Sequence, residues 1–178
     1  MGSGKPIKTG ERIEQKEKAP QGRRKKNMGS THSLVYTHLI FSTKNREPFL
    51  GYNIRPRLWQ YLGGICNELN CSPVQIGGME DHVHILCVLS RDHSLSELLK
   101  ILKAKSSAWI KSTFPECADF FWQSGYGAFS VNPLEKDVVV EYIRNQESHH
   151  KKRDFREELV IFLDKYGIEY DKKYLLRD

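Results

Sequence analysis

The chain has 178 residues, enough for one domain with a real core and too few for two domains of ordinary size. Its apolar runs, such as Ile85 to Leu89, are far shorter than the roughly 18 residues that a membrane-spanning helix needs. The first thirty residues also lack the apolar core of a secretory signal. We therefore expect a cytoplasmic protein with no membrane segment.

The net charge of +6 comes from residues 1–30, which contain nine Lys and Arg residues and only three Glu. From Thr31 onward, 19 basic and 19 acidic residues cancel. Residues 1–30 hold almost no large apolar side chains, so they cannot bury enough surface to offset the entropy lost on ordering. We expect a disordered basic arm, either a nucleic-acid tether or a cloning or species-specific extension, followed by a single domain over residues 31–178.

Four cysteines occur, at positions 66, 71, 87 and 117. None pairs with another at the two-residue gap of zinc knuckles and redox motifs. Cys87 lies in a strand-like apolar run and Cys66 in a helical pattern. We expect buried or scattered free thiols in a reducing compartment.

Alternating and helical patterns define the elements in chain order. Alternation predicts a strand in Ser33–Lys44, apolar spacing predicts a helix in Asn53–Asn70, and two further strands follow at residues 72–79 and His82–Leu89. A capping box, Ser94-Leu95-Ser96-Glu97, opens a long helix that ends before Pro115. A fourth strand is predicted within Phe120–Val131, then a helix from Asn132 to about His150 and a last helix from Asp154 to near Gly167.

This order, β-α-β-β-α-β followed by helices, is the ferredoxin-like (RRM-like) pattern of α+β proteins. It predicts an antiparallel sheet with two helices on one face and the other face free for a site. The third strand is central in this topology. His82 and His84 lie on that strand, and the period of two puts both imidazoles on one face.

Two imidazoles side by side provide half of a metal site, although two polar residues on a solvated face would give the same pattern. A second element comes from the helix that contains Tyr142 and Gln146, which are four residues apart and therefore neighbours on one helix face. A core tyrosine beside a surface amide is the alternative interpretation. Together, two imidazoles and an amide oxygen would suit Mg²⁺ or Mn²⁺, and Tyr142 could act as a nucleophile on phosphorus.

Three motifs resemble those of the single-tyrosine HUH transposases of the insertion-sequence 200/605 type and their repeat-associated relatives. They are Met79-Glu80-Asp81-His82-Val83-His84, the segment from Trp122 to Ser130, and Tyr142-Ile143-Arg144-Asn145-Gln146 with His149-His150 after it. The resemblance covers about residues 31–165. The family often has Pro where Glu80 stands, which suggests only a changed turn.

The resemblance implies roles for individual residues. His82 and His84 would be metal ligands, Gln146 the third ligand and Tyr142 the nucleophile that takes the 5′ end of cleaved single-stranded DNA. It also implies a divalent metal, Mg²⁺ or Mn²⁺, recognition of DNA hairpins, a homodimer in which one subunit's tyrosine helix can complete the other's site, and a location at the nucleoid of a prokaryote.

Several side chains are candidates for contacts with DNA. Lys44 and Arg46 follow the first strand, and Lys103 lies on the long helix, where a solvated helix face explains it equally well. His149 follows Tyr142 by seven residues and would project in a similar direction. Trp122, Tyr126 and Phe129 could stack on bases, although we expect them to pack in the core or in a dimer interface.

Two other classes of function remain open. A relaxase or replication initiator would use the same chemistry but usually carries additional domains. A non-catalytic RRM-like nucleic-acid-binding module would share the topology, but it would have aromatic residues on its central strands where this chain has histidines.

Overall fold

The computed structural model describes residues 32–147 and 155–171 and positions 1 and 175, and within them four strands form one sheet. The strands are β1 (Tyr36–Ser42), β2 (Ser72–Gly78), β3 (His82–Val88) and β4 (Gly127–Val131). The helices are α1 (Arg55–Glu68), α2 (Leu95–Thr113), α3 (Lys136–Arg144) and α4 (Phe155–Lys165). The predicted disordered arm, residues 1–30, lies outside the described residues except for Met1.

The strand order is β2-β3-β1-β4, and every neighbouring pair is antiparallel. This is the ferredoxin-like arrangement, so the predicted fold class is confirmed. β1 and β3 are the central strands, and their register pairs Ile40 with His84 and Ser42 with His82. Every residue of β3 from His82 to Cys87 is buried, which shows that both faces of the sheet are covered.

One face of the sheet packs on α1 and α2. Leu39 and Phe41 of β1 and Ile85 of β3 point to this side, where they meet the apolar stripes of both helices. Ser94 accepts a hydrogen bond from the Glu97 backbone N–H (3.2 Å) and so caps α2, as the capping box predicted. All four cysteines are free and buried, as expected.

The opposite face was predicted to be free, and this prediction is wrong. On this face, Val140 and Ile143 of α3 pack on Leu86 of β3. Ile40 of β1 and Phe129 of β4 are covered by apolar side chains of α4, namely Phe155, Leu159 and Leu163. The physical reason is that the face carries large apolar side chains between its polar ones, so leaving it open would expose a continuous apolar patch. Polar groups on this face are therefore enclosed among helices.

The fourth strand is shorter than predicted, because regular pairing starts only at Gly127. Before it, Trp122 makes an isolated bridge to Thr43, and Lys103 Nζ donates to the carbonyl oxygens of Gln123 (2.7 Å), Ser124 (3.1 Å) and Gly125 (2.7 Å). Three consecutive carbonyls that converge on one ammonium group cannot alternate in direction as a strand requires. The segment is consequently a loop held against α2.

No helix in the described part of the chain is both long and apolar enough to cross a membrane.

Candidate metal centre and tyrosine

The two histidines of β3 form the centre of the enclosed face. His82 and His84 are both fully buried, and their ring centroids are 5.0 Å apart. The strand alternation that predicted their common face is confirmed by the register, since their cross-strand partners Ser42 and Ile40 lie on the same side. Burial of two imidazoles requires polar partners for their ring nitrogens.

The Nδ1 atom of each imidazole contacts a polar side chain that fixes the orientation of the ring. His82 Nδ1 lies 2.6 Å from Asp81 Oδ1, and His84 Nδ1 lies 3.0 Å from His38 Nε2. When His82 carries its proton on Nδ1, this N–H donates to the Asp81 carboxylate and Nε2 has a free lone pair. Burial and the nearby His84 charge hold the pKa of His38 well below its usual value, so neutral His38 can accept a hydrogen bond from His84 Nδ1. Both Nε2 atoms then point lone pairs toward the same space.

A carboxylate from α4 occupies the third position. Glu158 Oε2 lies 3.7 Å from His82 Nε2 and 3.6 Å from His84 Nε2. The three side chains are buried and offer ligand atoms within 4.8 Å of one another, and they are a group that could hold a metal ion. Neighbouring ligands of a metal held at about 2.1 Å are about 3 Å apart, so small movements would complete a shell.

Gln146 joins the same cluster. Its Oε1 lies 3.4 Å from His82 Nε2, and its Nε2 donates to Glu158 Oε1 at 2.9 Å. This bond orients the amide so that its oxygen faces the histidine. Gln146 reaches this place from just beyond α3, which ends at Arg144 with Asn145 as its cap. The predicted uninterrupted helix to about His150 is therefore wrong at Asn145.

The pKa of Glu158 is raised from 4.5 to about 7, because the effect of burial exceeds the lowering by nearby His82 and is joined by a smaller raising effect of Asp81. The dominant cause is the cost of removing a carboxylate from water. A cation bound between the carboxylate and the imidazole lone pairs would offset that cost through its attraction to the negative charge. The donor set of two imidazoles, one carboxylate and one amide oxygen thus fits a divalent metal ion.

Tyr142 stands beside these groups in the same chain. Its half-buried ring lies 5.8 Å from that of His84 and 6.3 Å from that of His38, measured between centroids and edge-on in both cases. Phe162 of α4 contacts the same ring at 5.5 Å. The structure therefore brings the phenol to the histidine face from α3 while Phe155 of α4 stacks on His82 at 4.6 Å.

The close approach of α3 to the sheet depends on Gly77 of β2. A Cβ atom at this position would lie 2.8 Å from both Ile143 Cγ2 and the Ile143 carbonyl oxygen. The next residue, Gly78, has φ +144°, a conformation that other residues rarely adopt. The absence of a side chain at Gly77 thus allows the helix that carries Tyr142 to pack closely on β2.

The predicted DNA contacts are dispersed. Lys44 and Arg46 lie on the exposed turn after β1, and Lys103 binds the three loop carbonyls described above. His149 lies outside the described residues. Their roles toward DNA stay predictions.

The three candidate stacking aromatics divide between core and surface. Trp122 and Phe129 are buried, as the core interpretation predicted, whereas Tyr126 is 47% exposed. Trp122 Nε1 donates to Ser106 Oγ at 2.9 Å, and Phe129 stacks on Phe162.

Sequence reasoning missed Glu158, Asp81 and His38. Glu158 lies between Phe155, Leu159 and Phe162 at helical spacing, so an acidic residue inside an apolar stripe was an available signal. Asp81 directly precedes the paired histidines, a suitable position for orienting His82. His38 could not be assigned, because its contact with His84 depends on a strand register that one sequence does not reveal.

Several known proteins are similar to this chain in sequence. The family described as "Transposase IS200 like" matches residues 31–146. The ISDra2 transposase TnpA of Deinococcus radiodurans is 26% identical over 127 residues, which cover 68% of this chain and 90% of the relative. A transposase for insertion sequence element IS200 from Salmonella typhimurium is 27% identical over 131 residues, with 67% and 85% covered.

Two solved structures are similar to this one. The crystal structure of a candidate transposase from Deinococcus radiodurans has a TM-score of 0.56 at 25% identity, covering 66% of this chain and 95% of that one. A REP-associated tyrosine transposase bound to a REP hairpin has a TM-score of 0.51 at 13% identity, covering 65% and 68%, and shows the common fold. Since the family match spans most of the folded region that holds the histidines, Tyr142 and Gln146, the chain belongs to the IS200-like transposase family.

Proposed function

We propose that this transposase cleaves and rejoins single-stranded DNA through a metal-assisted 5′-phosphotyrosine at Tyr142. One observation supports the proposal above all: the centroid of the Tyr142 ring lies 5.8 Å from that of His84, which belongs to the buried cluster of His82, His84 and Glu158. The proposed nucleophile and the proposed cation site are therefore neighbours within one chain.

The metal would be Mg²⁺ or Mn²⁺, held by His82 and His84 with oxygen from Gln146, Glu158 or both. When bound, it supplies positive charge that draws electron density from the phosphodiester. Asp81 and His38 keep the imidazoles in the tautomers that present Nε2. The buried carboxylate of Glu158 supplies the negative charge that makes a divalent cation favourable there.

The residues of the chain account for the remaining steps. The Tyr142 phenol gives its proton to solvent water and its oxygen forms a bond to phosphorus, while the bond from phosphorus to the 3′ oxygen breaks. That oxygen takes up a proton and leaves as a free 3′ hydroxyl. The phosphotyrosine conserves the phosphodiester energy, so attack by a 3′ hydroxyl can rejoin strands and release Tyr142.

DNA with hairpins is the proposed substrate, and residues 31–178 are the proposed single transposase domain, acting at the nucleoid of a prokaryotic cell. A homodimer is proposed as well. The exposed apolar side chains of Leu134 (92% exposed) and Val138 (70%), four residues apart, are compatible with a protein partner at the start of α3.

The competing proposals differ in what the sheet face does. An RRM-like module binds nucleic acid on an exposed sheet face, whereas α3 and α4 cover that face here and bury both histidines. This observation favours a catalytic centre. A relaxase or replication initiator would share the chemistry, and the family match favours a transposase.

The test is covalent adduct formation. Wild-type protein, hairpin DNA with a single-stranded flank and Mg²⁺ or Mn²⁺ should give a protein–DNA adduct on a denaturing gel. Tyr142→Phe should abolish the adduct, and Tyr126→Phe, which changes an exposed phenol elsewhere, should retain it. An adduct that persists in Tyr142→Phe would refute the assignment of the nucleophile.

Metal titration tests the other half of the site. Calorimetric titration of Mn²⁺ into His82→Ala and Gln146→Ala should show weaker binding than into wild type. Unchanged affinity in both variants would remove the proposed ligand set.

A further inference from the structure

A pocket of about 310 Å³ opens between the start of α1, the end of β2 and the end of α3. Its lining includes Tyr52, Arg55 and Trp59, together with Gln75 and Arg144. None of these five residues has a part in the proposed cleavage step. Their chemistry, two aromatic rings, two guanidinium groups and an amide, resembles what proteins use to hold a nucleotide.

The pocket adjoins the candidate metal centre. Gln146 lines the pocket and its Oε1 lies 3.4 Å from His82 Nε2. Gly77 and Gly78 of β2 also line this pocket. A strand whose phosphate reached the centre would therefore place a neighbouring nucleotide at this pocket.

The aromatic and cationic groups are already arranged together. Tyr52 is 79% exposed, and the Arg55 guanidinium carbon lies 4.2 Å from the centroid of its ring. The Arg55 side chain is only 7% exposed. The described polar contacts of its guanidinium are longer than ordinary hydrogen bonds, 3.7 Å to Glu147 and 3.9 Å to Met79 Sδ. A buried cation with such distant partners is suited to a stronger anionic ligand.

Arg144, another lining residue, is exposed, and its Nε donates to Gln75 Oε1 at 3.3 Å while its Nη1 donates to Glu141 Oε1 at 2.9 Å. This contact places the amide of Gln75 beside a second guanidinium. An amide can pair with the edge of a base, while a guanidinium can pair with phosphate or stack.

We propose that this pocket binds one nucleotide of the single-stranded DNA next to the scissile phosphate. The base stacks on Tyr52 and Trp59, and Arg55 and Arg144 contact the adjoining backbone phosphate. This inference rests on the proposed function, since it takes the DNA strand to pass through the metal centre.

The probe is hairpin DNA with a single-stranded flank that carries 2-aminopurine at one position at a time. It is added, without metal, to protein with Tyr142→Phe, so that no cleavage step is involved. Stacking should quench the fluorescence at one flank position, and Tyr52→Ala should remove that quenching and weaken binding roughly five- to 100-fold. Tyr52→Phe should restore both. Phe121→Ala, which removes an exposed ring elsewhere, should change neither.

Arg144→Ala tests the phosphate contact. It should lower the slope of log affinity against log salt by about one, whereas Arg91→Ala, an exposed arginine outside the pocket, should leave the slope unchanged. Quenching at no position, or equal quenching in Tyr52→Ala, would overturn the pocket proposal. The adduct assay with wild-type protein separates this result from failure of the proposed function, because an adduct would still form if only the pocket were misassigned.

Discussion

Replacing Glu158 with Gln should stabilise the metal-free protein at high pH. The change is nearly isosteric, and the new amide oxygen can still accept the hydrogen bond from Gln146 Nε2. In the wild type, burial raises the pKa of Glu158 from 4.5 to about 7. The folded state thus binds this proton more tightly than the unfolded state, so the stability that protonated Glu158 contributes is fully present below about pH 4.5 and is lost as pH rises through 7.

The magnitude follows from the size of the shift. Each pKa unit corresponds to about 1.4 kcal/mol, so ionising Glu158 costs at most about 3.4 kcal/mol more in the folded protein than in the unfolded chain. The side chain is 9% exposed, which leaves little screening by solvent. At pH 8 we expect Glu158→Gln to raise the free energy of unfolding by about 1–3 kcal/mol, or the melting temperature by roughly 2–10 °C.

Thermal unfolding followed by circular dichroism, with EDTA present, measures this effect. The difference between Glu158→Gln and wild type should be large at pH 8 and should shrink toward pH 5. Addition of Mn²⁺ at pH 8 should then reverse the order, because the wild type gains binding energy that the variant lacks. An equal difference at both pH values, or an undiminished response of Glu158→Gln to Mn²⁺, would refute the reasoning.

Two further substitutions test the supports of the site, and a third tests a helix cap outside it. Asp81→Asn should weaken Mn²⁺ binding measured by calorimetry by roughly 10- to 100-fold, because His82 loses its orienting carboxylate; equal affinity would contradict that role. Gly77→Ala should lower the free energy of unfolding in chemical denaturation by about 1–3 kcal/mol, because the new Cβ pushes α3 off β2, and it should lower the adduct yield. The control is Gly63→Ala, which should not destabilise the protein because its Cβ would make only an ordinary contact at 3.7 Å. Ser94→Ala should cost about 1 kcal/mol by removing the cap of α2 without changing Mn²⁺ affinity, and unchanged stability would show that the cap is dispensable.

Local patterns predicted the elements well where one physical requirement dominates. The alternation in β1 and β3 reflects a difference between an apolar face that packs on α1 and α2 and a face that carries the histidines. The Ser94 cap satisfies a backbone donor within three residues. These requirements are local, so the sequence alone displays them. The central position of the histidine strand followed from the order of elements.

Local patterns could not predict contacts between residues that are distant in the sequence. Glu158 meets His82 across 76 residues of chain, and no local signal specifies that contact. The short β4 results from Lys103, whose ammonium group binds loop carbonyls twenty residues or more away. The covering of the sheet by α3 and α4 likewise depends on the tertiary packing of apolar faces.

The separation of these groups along the chain also has a consequence for synthesis. β3 is made long before α4, and a chain that ends before Phe155 lacks Glu158 and the ring that stacks on His82. Contacts of such high sequence separation form late in folding, because the loop between them must close first. A nascent chain would therefore hold its histidines without the Glu158 carboxylate until α4 had docked on the sheet.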